Sequence, residues 1–285
     1  MNDLASVGPN LPLEVLYATG RYAGPLGWNI DRDFPRASQW LESKFPLWAF
    51  SILQDWADGK FDTLKQVVFS RGDDSAQRLY YYICELQRQG ALHGPEALIF
   101  DLAKIPRATS LARTEVATRA LADQMGVDEA ALAARQSPVG ASPAASAAKT
   151  CLLAGSAPPD RRIHDMIGRA GWHAAGPTLA ELWSASGGDE VNFATVAKRV
   201  HDAQTGPRDF RDRATEIATR ARDQHVAAAL IWYAEEDEAE IWHLPEQRRA
   251  LEQLGVPTLV LLRRDWRGND GLEDELAAFL AGVTS

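Results

Sequence analysis

Residues 64–89 read LKQVVFSRGDDSAQRLYYYICELQRQ, and this stretch decides the fold class. Leu64–Ser70 is a short apolar, partly β-branched run that suits a strand. Arg71-Gly72-Asp73-Asp74 forms a turn, Ser75–Gln89 has helical periodicity, and Gly90 is placed to end that helix just beyond its last turn. A second strand, Ala97–Phe100, follows. Strand, helix and strand in succession form the repeating unit of a layered α/β protein with a mostly parallel sheet, and such crossovers are right-handed almost without exception.

The same alternation continues outward from this block. Ser110–Gln136 is rich in Ala, Leu, Arg and Glu with helical periodicity broken at Gly126, which predicts a pair of helices. Gln136–Lys149, QSPVGASPAASAAK, has two prolines and almost no large side chain, the composition of a linker. Beyond it Thr150–Leu153 predicts a strand, Gly155-Ser156 a turn, and Pro159–Ala170 a helix. After a less regular stretch come a helix at Ala214–Arg222, a buried strand at Ala227–Tyr233 and a helix at Pro245–Leu254 ended by Gly255. A strand at Pro257–Leu262 and a helix at Gly271–Leu280 complete the pattern.

The expectation is an α/β protein with two Rossmann-like domains whose mostly parallel sheets face a central cleft. The N-terminal domain spans 1–136, the linker 137–149 and the C-terminal domain 150–285. Ligands in such sheets bind outside the carboxyl ends of the strands. That singles out the loops Arg71–Ser75, Gly155–Asp160 and Ala234–Glu238.

Composition narrows the function classes. At 285 residues, 46% apolar and 24% charged, the chain has the balance of a soluble globular protein of one large or two ordinary domains. A net charge of -9 argues against a general nucleic-acid binder, which concentrates Lys and Arg. The start, MNDLASVGPNLPLEVL, lacks the basic residues and apolar core of a secretory signal, and no apolar run approaches the ~18 residues of a membrane span. A cytoplasmic protein with free thiols is expected, with neither nucleic acid nor membrane as a partner.

Motifs that would name a chemistry are missing. The phosphate-binding G-x-x-x-x-G-K-[ST] loop, a G-x-G-x-x-G after a strand, the G-x-S-x-G elbow and the H-E-x-x-H zinc helix do not occur. The histidines, His93, His164, His173, His201, His225 and His243, are scattered without the i, i+4 spacing of helical metal ligands, and none is given a catalytic role. Cys84 lies among Tyr80, Tyr81, Tyr82 and Leu86, and Cys151 beside Leu152 and Leu153. Both read as small buried hydrophobes.

Several segments, taken in order, resemble the 2-hydroxyacyl-CoA dehydratase and benzoyl-CoA reductase subunit family. Leu11–Gly20 (LPLEVLYATG) is similar to that family's N-terminal segment. Asp62–Phe69 with Asp73-Asp74 and Arg78-Leu79-Tyr80 is similar to its first-domain strand, following loop and helix. Phe100-Asp101-Leu102 with Ile105-Pro106-Arg107, the helix pair around Gly126, Leu152–Ser156 and Gly255–Leu259 resemble further segments in the family's order. The resemblance runs over most of the chain and implies two Rossmann-like domains, an acyl-CoA ligand and a homologous subunit as partner, in a heterodimer or higher assembly.

Two departures shape what it implies. The family's iron–sulfur cluster is held by cysteines from three regions. Here those regions read Phe45-Pro46-Leu47-Trp48-Ala49-Phe50, Gly72-Asp73-Asp74 and Ala234-Glu235-Glu236-Asp237, with no cysteine in any of them. Replacing every soft thiolate by hard oxygen removes the ligand set that stabilises such a cluster, so a cluster-free protein with no other cofactor is expected. The second departure is the short linker 137–149, which stands where the family has a helical insertion.

Asp73 and Asp74 are the candidate catalytic acid or base in this setting, with Arg71 and Arg78 binding a CoA phosphate or thioester oxygen. The alternative is local: an Asp caps the helix and the arginines pair nearby. Gly155 and Ser156 are candidate substrate-binding residues at the second domain's turn. Trp48, near Phe45, Phe50 and Trp56, is either core packing or one wall of an apolar pocket for an aromatic acyl group. The run Glu235, Glu236, Asp237, Glu238 and Glu240 is either a solvated face or helix start, or a site for a hard divalent cation. The expected function is acyl-CoA binding in the cleft, by a non-redox lyase or by the non-catalytic partner of a related subunit. The alternatives are a ligand-free interaction scaffold and a divalent-metal enzyme using the acidic run.

Overall fold

The computed structural model describes residues 2–103, 105, 107–134, 149–187, 191–203 and 212–284. The first part of the chain runs β1 (Leu4–Val7), α1 (Leu13–Ala18), β2 (Tyr22–Pro25), α2 (Ala37–Trp40), α3 (Leu47–Ala57), β3 (Gln66–Ser70), α4 (Asp74–Arg88), β4 (Glu96–Phe100), α5 (Ala108–Met125) and α6 (Glu129–Ala133). It continues with β5 (Thr150–Gly155), α7 (Arg162–Arg169), β6 (His173–Ala175), α8 (Leu179–Ser184), α9 (Phe193–Asp202), α10 (Arg213–Asp223) and β7 (Val226–Ala234). A 3-10 turn (Glu240–His243), α11 (Leu244–Gln253), β8 (Thr258–Arg264) and α12 (Leu272–Thr284) close the chain.

Among the described residues the strands form two four-stranded sheets, ordered β2-β1-β3-β4 and β6-β5-β7-β8. Every pairing is parallel. The α/β class with two Rossmann-like sheets expected from the sequence is therefore what the chain forms. Parallel strands covered on both faces must be apolar without alternation. β7 shows this clearly: Ala228 through Ala234 are all buried.

The compact units are Met1–Gly140 with Glu181–Phe210, and Ala141–Ala180 with Arg211–Ser285. The expected C-terminal domain of 150–285 differs from this division, in which the described residues 181–187 and 191–203 belong with the first unit. Their only signal was a break in the strand–helix alternation. The expected linker lies outside the described residues apart from Lys149.

In the first unit, Leu4 and Val68 of the sheet share a core with Val15, Leu16, Leu121 and Leu132, and α9 adds Phe193, Val196 and Val200. Asn192 starts α9 with a reciprocal cap, its side chain accepting from Thr195 N while Thr195 Oγ1 accepts from Asn192 N. The fully buried Glu14 carboxylate of α1 pairs with Arg199 of α9 and accepts from Gly187 N at 3.3 Å. That pair fastens the returning segment at a buried point. In the second unit, Leu152, Ala229, Ile231 and Tyr233 pack against Ile217 and Ala221 of α10 and Leu251 of α11.

The predicted strands and helices fall on observed ones within a few residues. Not anticipated were β1, β2 and β6, each four residues or fewer, the helices α1, α2 and α3 ahead of the first predicted strand, and α8 and α9 in the stretch that read as irregular.

Candidate functional site

In each unit the first strand lies inside the sheet, with the second strand on one side and the third on the other. The chain thus reverses its direction of winding between β1 and β3 and between β5 and β7, and a doubly wound sheet opens a ligand crevice at that point.

The first crevice is bordered by residues that the sequence singled out. Asp73 is the N-cap of α4, its carboxylate accepting from Ala76 N at 2.7 Å, and Asp74 lies in the first turn, where the helix dipole favours it. Arg71 pairs with Asp101, which also accepts from Arg113 at 2.7 Å. Burial would raise the Asp101 pKa, but the bonds from Arg113 and Arg71 outweigh it and hold the carboxyl below its ordinary value.

Arg78 lies 4.1 Å above the Phe45 ring and reaches Glu42 at 3.2 Å. Trp48 is buried, its ring edge-on to Trp183 at 4.8 Å, and Trp183 also meets Trp28 at 4.8 Å. The local alternatives describe these residues: a cap, nearby ion pairs and an aromatic core.

The second crevice is built differently. Gly155 ends β5 at φ +91°, and a Cβ there would stand 2.1 Å from the Trp232 carbonyl oxygen. This close approach lets Ser156 N donate to Trp232 O at 2.8 Å. The buried Ser156 hydroxyl accepts from Ala234 N at 3.0 Å and hydrogen-bonds the Asp237 carboxyl. Ser156 thus ties the exit of β5 to the exit of β7.

Beside it, Trp266 Nε1 donates to Glu236 Oε2 at 2.5 Å, and the Trp266 ring meets Trp232 edge-on at 5.7 Å. Burial pushes the Glu236 carboxyl up to about 7 against the opposing Trp266 bond. Burial likewise pushes Asp237 up to about 6 against the bond from Ser156. Two carboxyl groups that change protonation near neutrality at a strand-end crevice are equipped to take up and release protons.

The acidic run therefore splits. Glu235 lies 3.6 Å from Arg263 and Glu240 lies 2.6 Å from Arg213, while Glu236 and Asp237 turn to Trp266 and Ser156. Among the described residues no group of three or more His, Cys, Asp or Glu side chains converges to hold a metal ion. Sequence reasoning selected Ser156 and, within an acidic run read as a solvated face, a helix start or a divalent-cation site, Glu236 and Asp237, but neither the Ser156–Asp237 contact nor Trp266. The available signal was that Glu235–Asp237 directly follow a strand whose last seven residues are buried; Trp266 comes from a distant turn that no local pattern flags.

The family's iron–sulfur cluster does not fit the donors present. Cys84 is half-buried in α4, its thiol raised by burial, and Cys151 is buried in β5 and pushed up to about 12 by burial. The two belong to different units, and the chain has no third cysteine. Among the described residues no helix is long and apolar enough to cross a membrane. No family model and no curated protein matches the chain.

Proposed function

We propose that the protein binds an acyl-CoA thioester and acts on it as a non-redox lyase, without an iron–sulfur cluster, as a relative of the 2-hydroxyacyl-CoA dehydratase and benzoyl-CoA reductase subunits. The observation that carries the chemistry is the Ser156–Asp237 link beside Glu236, with both carboxyls titrating close to neutrality at the end of the second sheet. The acyl-CoA ligand rests on the ordered segments described above. A thioester acidifies the carbon next to it. One carboxylate takes that proton, the hydroxyl on the following carbon departs, and the protonated carboxyl supplies the proton with which it leaves as water. The C–H and C–O bonds break, a C=C bond forms, and no electron is gained or lost overall.

Calorimetry with CoA and with a 3-hydroxyacyl-CoA, followed by assay of the unsaturated product, tests the reading. Binding should occur in the wild type and persist in Asp237→Asn, with turnover lost. A chain that binds neither compound overturns the proposal and leaves an interaction scaffold in its place. The feature that favours an interaction is Trp242, which is 85% exposed on the 3-10 turn after β7. A homologous subunit is the partner that the proposal assigns to the protein.

A further inference from the structure

A second feature lies at the carboxyl edge of the second sheet, on the β6 side of β5 rather than at the β5/β7 crevice. The β5·β6 ladder ends at the Leu152–Ala175 pair, so Leu153 and Gly176 are the first residues beyond it. They lie so close that a Cβ on Gly176 would stand 2.5 Å from the Leu153 carbonyl oxygen. Glycine at the end of a strand often marks such a close approach.

Two side chains converge on this junction. From α10, Arg220 Nη2 donates to Leu153 O at 3.4 Å. From α7, His164 Nε2 donates to Gly176 O at 2.8 Å, while its buried Nδ1 has no hydrogen-bond partner among the described residues.

The environment of Arg220 is unusual for this chain. Acids outnumber Lys and Arg by 39 to 30, and other arginines of the second unit have carboxylate partners: Arg162 with Asp160, Arg213 with Glu240 and Arg264 with Asp270. Half-buried Arg220 makes no ion pair among the described residues, and its one hydrogen bond goes to a main-chain carbonyl. Burial lowers its pKa, opposed only by the field of Glu216 one turn back. A guanidinium taken from water without a carboxylate destabilises the fold unless something else compensates the charge. Its planar fork has five N–H donors, most of them unused here, in the geometry that receives an oxyanion through two parallel hydrogen bonds.

We propose that Arg220 is an anion-binding residue, taking the phosphate or carboxylate group of a ligand that lies over the carboxyl ends of β5 and β6, with His164 holding the Gly176 turn that borders it. Arg220 is then the binding residue and His164 a positioning residue. The inference goes beyond the acyl-CoA reading and does not require it, because any ligand with an exposed oxyanion meets the same chemistry.

Titration calorimetry of the full chain at low ionic strength, with inorganic pyrophosphate and separately with malonate, tests it. The wild type should bind at least one of the two, and Arg220→Gln should weaken that binding tenfold or more. Arg220→Lys, which keeps the charge but loses the fork, should give an intermediate loss, and Arg248→Gln on the exposed face of α11 should give none. Pyrophosphate alone identifies a phosphate site and malonate alone a carboxylate site. Should Arg220→Gln fail to fold, phenylglyoxal labelling of the wild type read by peptide mass spectrometry replaces it, with the bound anion shielding Arg220 selectively. Binding unchanged in Arg220→Gln, labelling of Arg220 unaffected by either anion, or no binding of either anion to the wild type overturns the proposal. If pyrophosphate binds through Arg220 while CoA and acyl-CoA do not bind, the acyl-CoA reading fails and this one stands.

Discussion

The two sheets share strand order and direction, yet they treat the acids at corresponding strand ends in opposite ways. In the first unit β3 passes into α4 within four residues, and Asp73 is engaged as its cap. In the second unit β7 ends at Ala234 and the next helical turn begins only at Glu240. Glu236 and Asp237 in that gap face the sheet end, where Trp266 and Ser156 bind them. Chemistry at a strand end thus depends on how soon a helix follows, because a helix started at once engages the nearest acid for its own N–H groups.

The sharpest way to break the comparison is at the glycine that follows or ends the first strand of each unit. Gly155→Ala places a Cβ against backbone at a left-handed φ and should cost about 3 kcal/mol or more. Gly8, at φ +94°, would place its Cβ 2.9 Å from the Ser70 Cβ and 3.0 Å from the Ala76 Cβ, and Gly8→Ala should cost about 1–2 kcal/mol because these contacts are far less short than the 2.1 Å at Gly155. Denaturant unfolding with hydrogen exchange resolved by unit would show the two losses; equal losses would contradict the contrast.

Next comes the polar contact of each crevice. Ser156→Ala leaves Ala234 N and the Asp237 carboxyl without their shared partner and should cost about 1–3 kcal/mol. Asp73→Ala removes one cap and should cost about 1 kcal/mol, both values being read from urea midpoints.

The pH response should differ as well. Glu236 and Asp237 have folded-state pKa values of about 7 and 6, above their ordinary 4.5 and 3.8, so the folded state binds the extra protons between. Stability from these groups is present at the acid end and declines as pH rises through 6 and 7. The wild type should melt about 2–4 °C higher near pH 5.5 than near pH 7.5, and Glu236→Gln with Asp237→Asn should flatten that slope. Asp101 of the first unit is shifted the other way, so its contribution is lost only as pH falls through its lowered pKa. A slope unchanged in the double variant would remove the acid–base role from this crevice. The smallest effect belongs to Arg71→Ala, whose exposed pair with Asp101 should contribute about 0.5 kcal/mol or less to the melting curve.

What was legible in the sequence was whatever is written locally. Gln66–Ser70, Val226–Ala234 and the helices after them stand out because buried parallel strands are continuous apolar runs and helices repeat every 3.6 residues. Leu4–Val7 and His173–Ala175 are too short to carry a pattern, and the sheet itself defines them. Gly155 and Ser156 were legible as a turn at a strand end. The Ser156–Asp237 contact spans 81 residues and Glu236–Trp266 spans 30, so both are properties of topology rather than of any window of residues.

The pair between Glu14 and Arg199 also fixes an order of events during synthesis. The two residues are 185 positions apart, and β5 and β6 of the other unit are made between them. At ordinary elongation rates the ribosome takes roughly 10–40 s to cover that distance. For that interval α1 waits with a carboxylate destined for burial and no cation to meet it, while the strands of the second sheet are already emerging. The first unit therefore cannot be finished until part of the second has been made, and a nascent chain stopped before residue 199 should stay open to proteases where the complete one is closed.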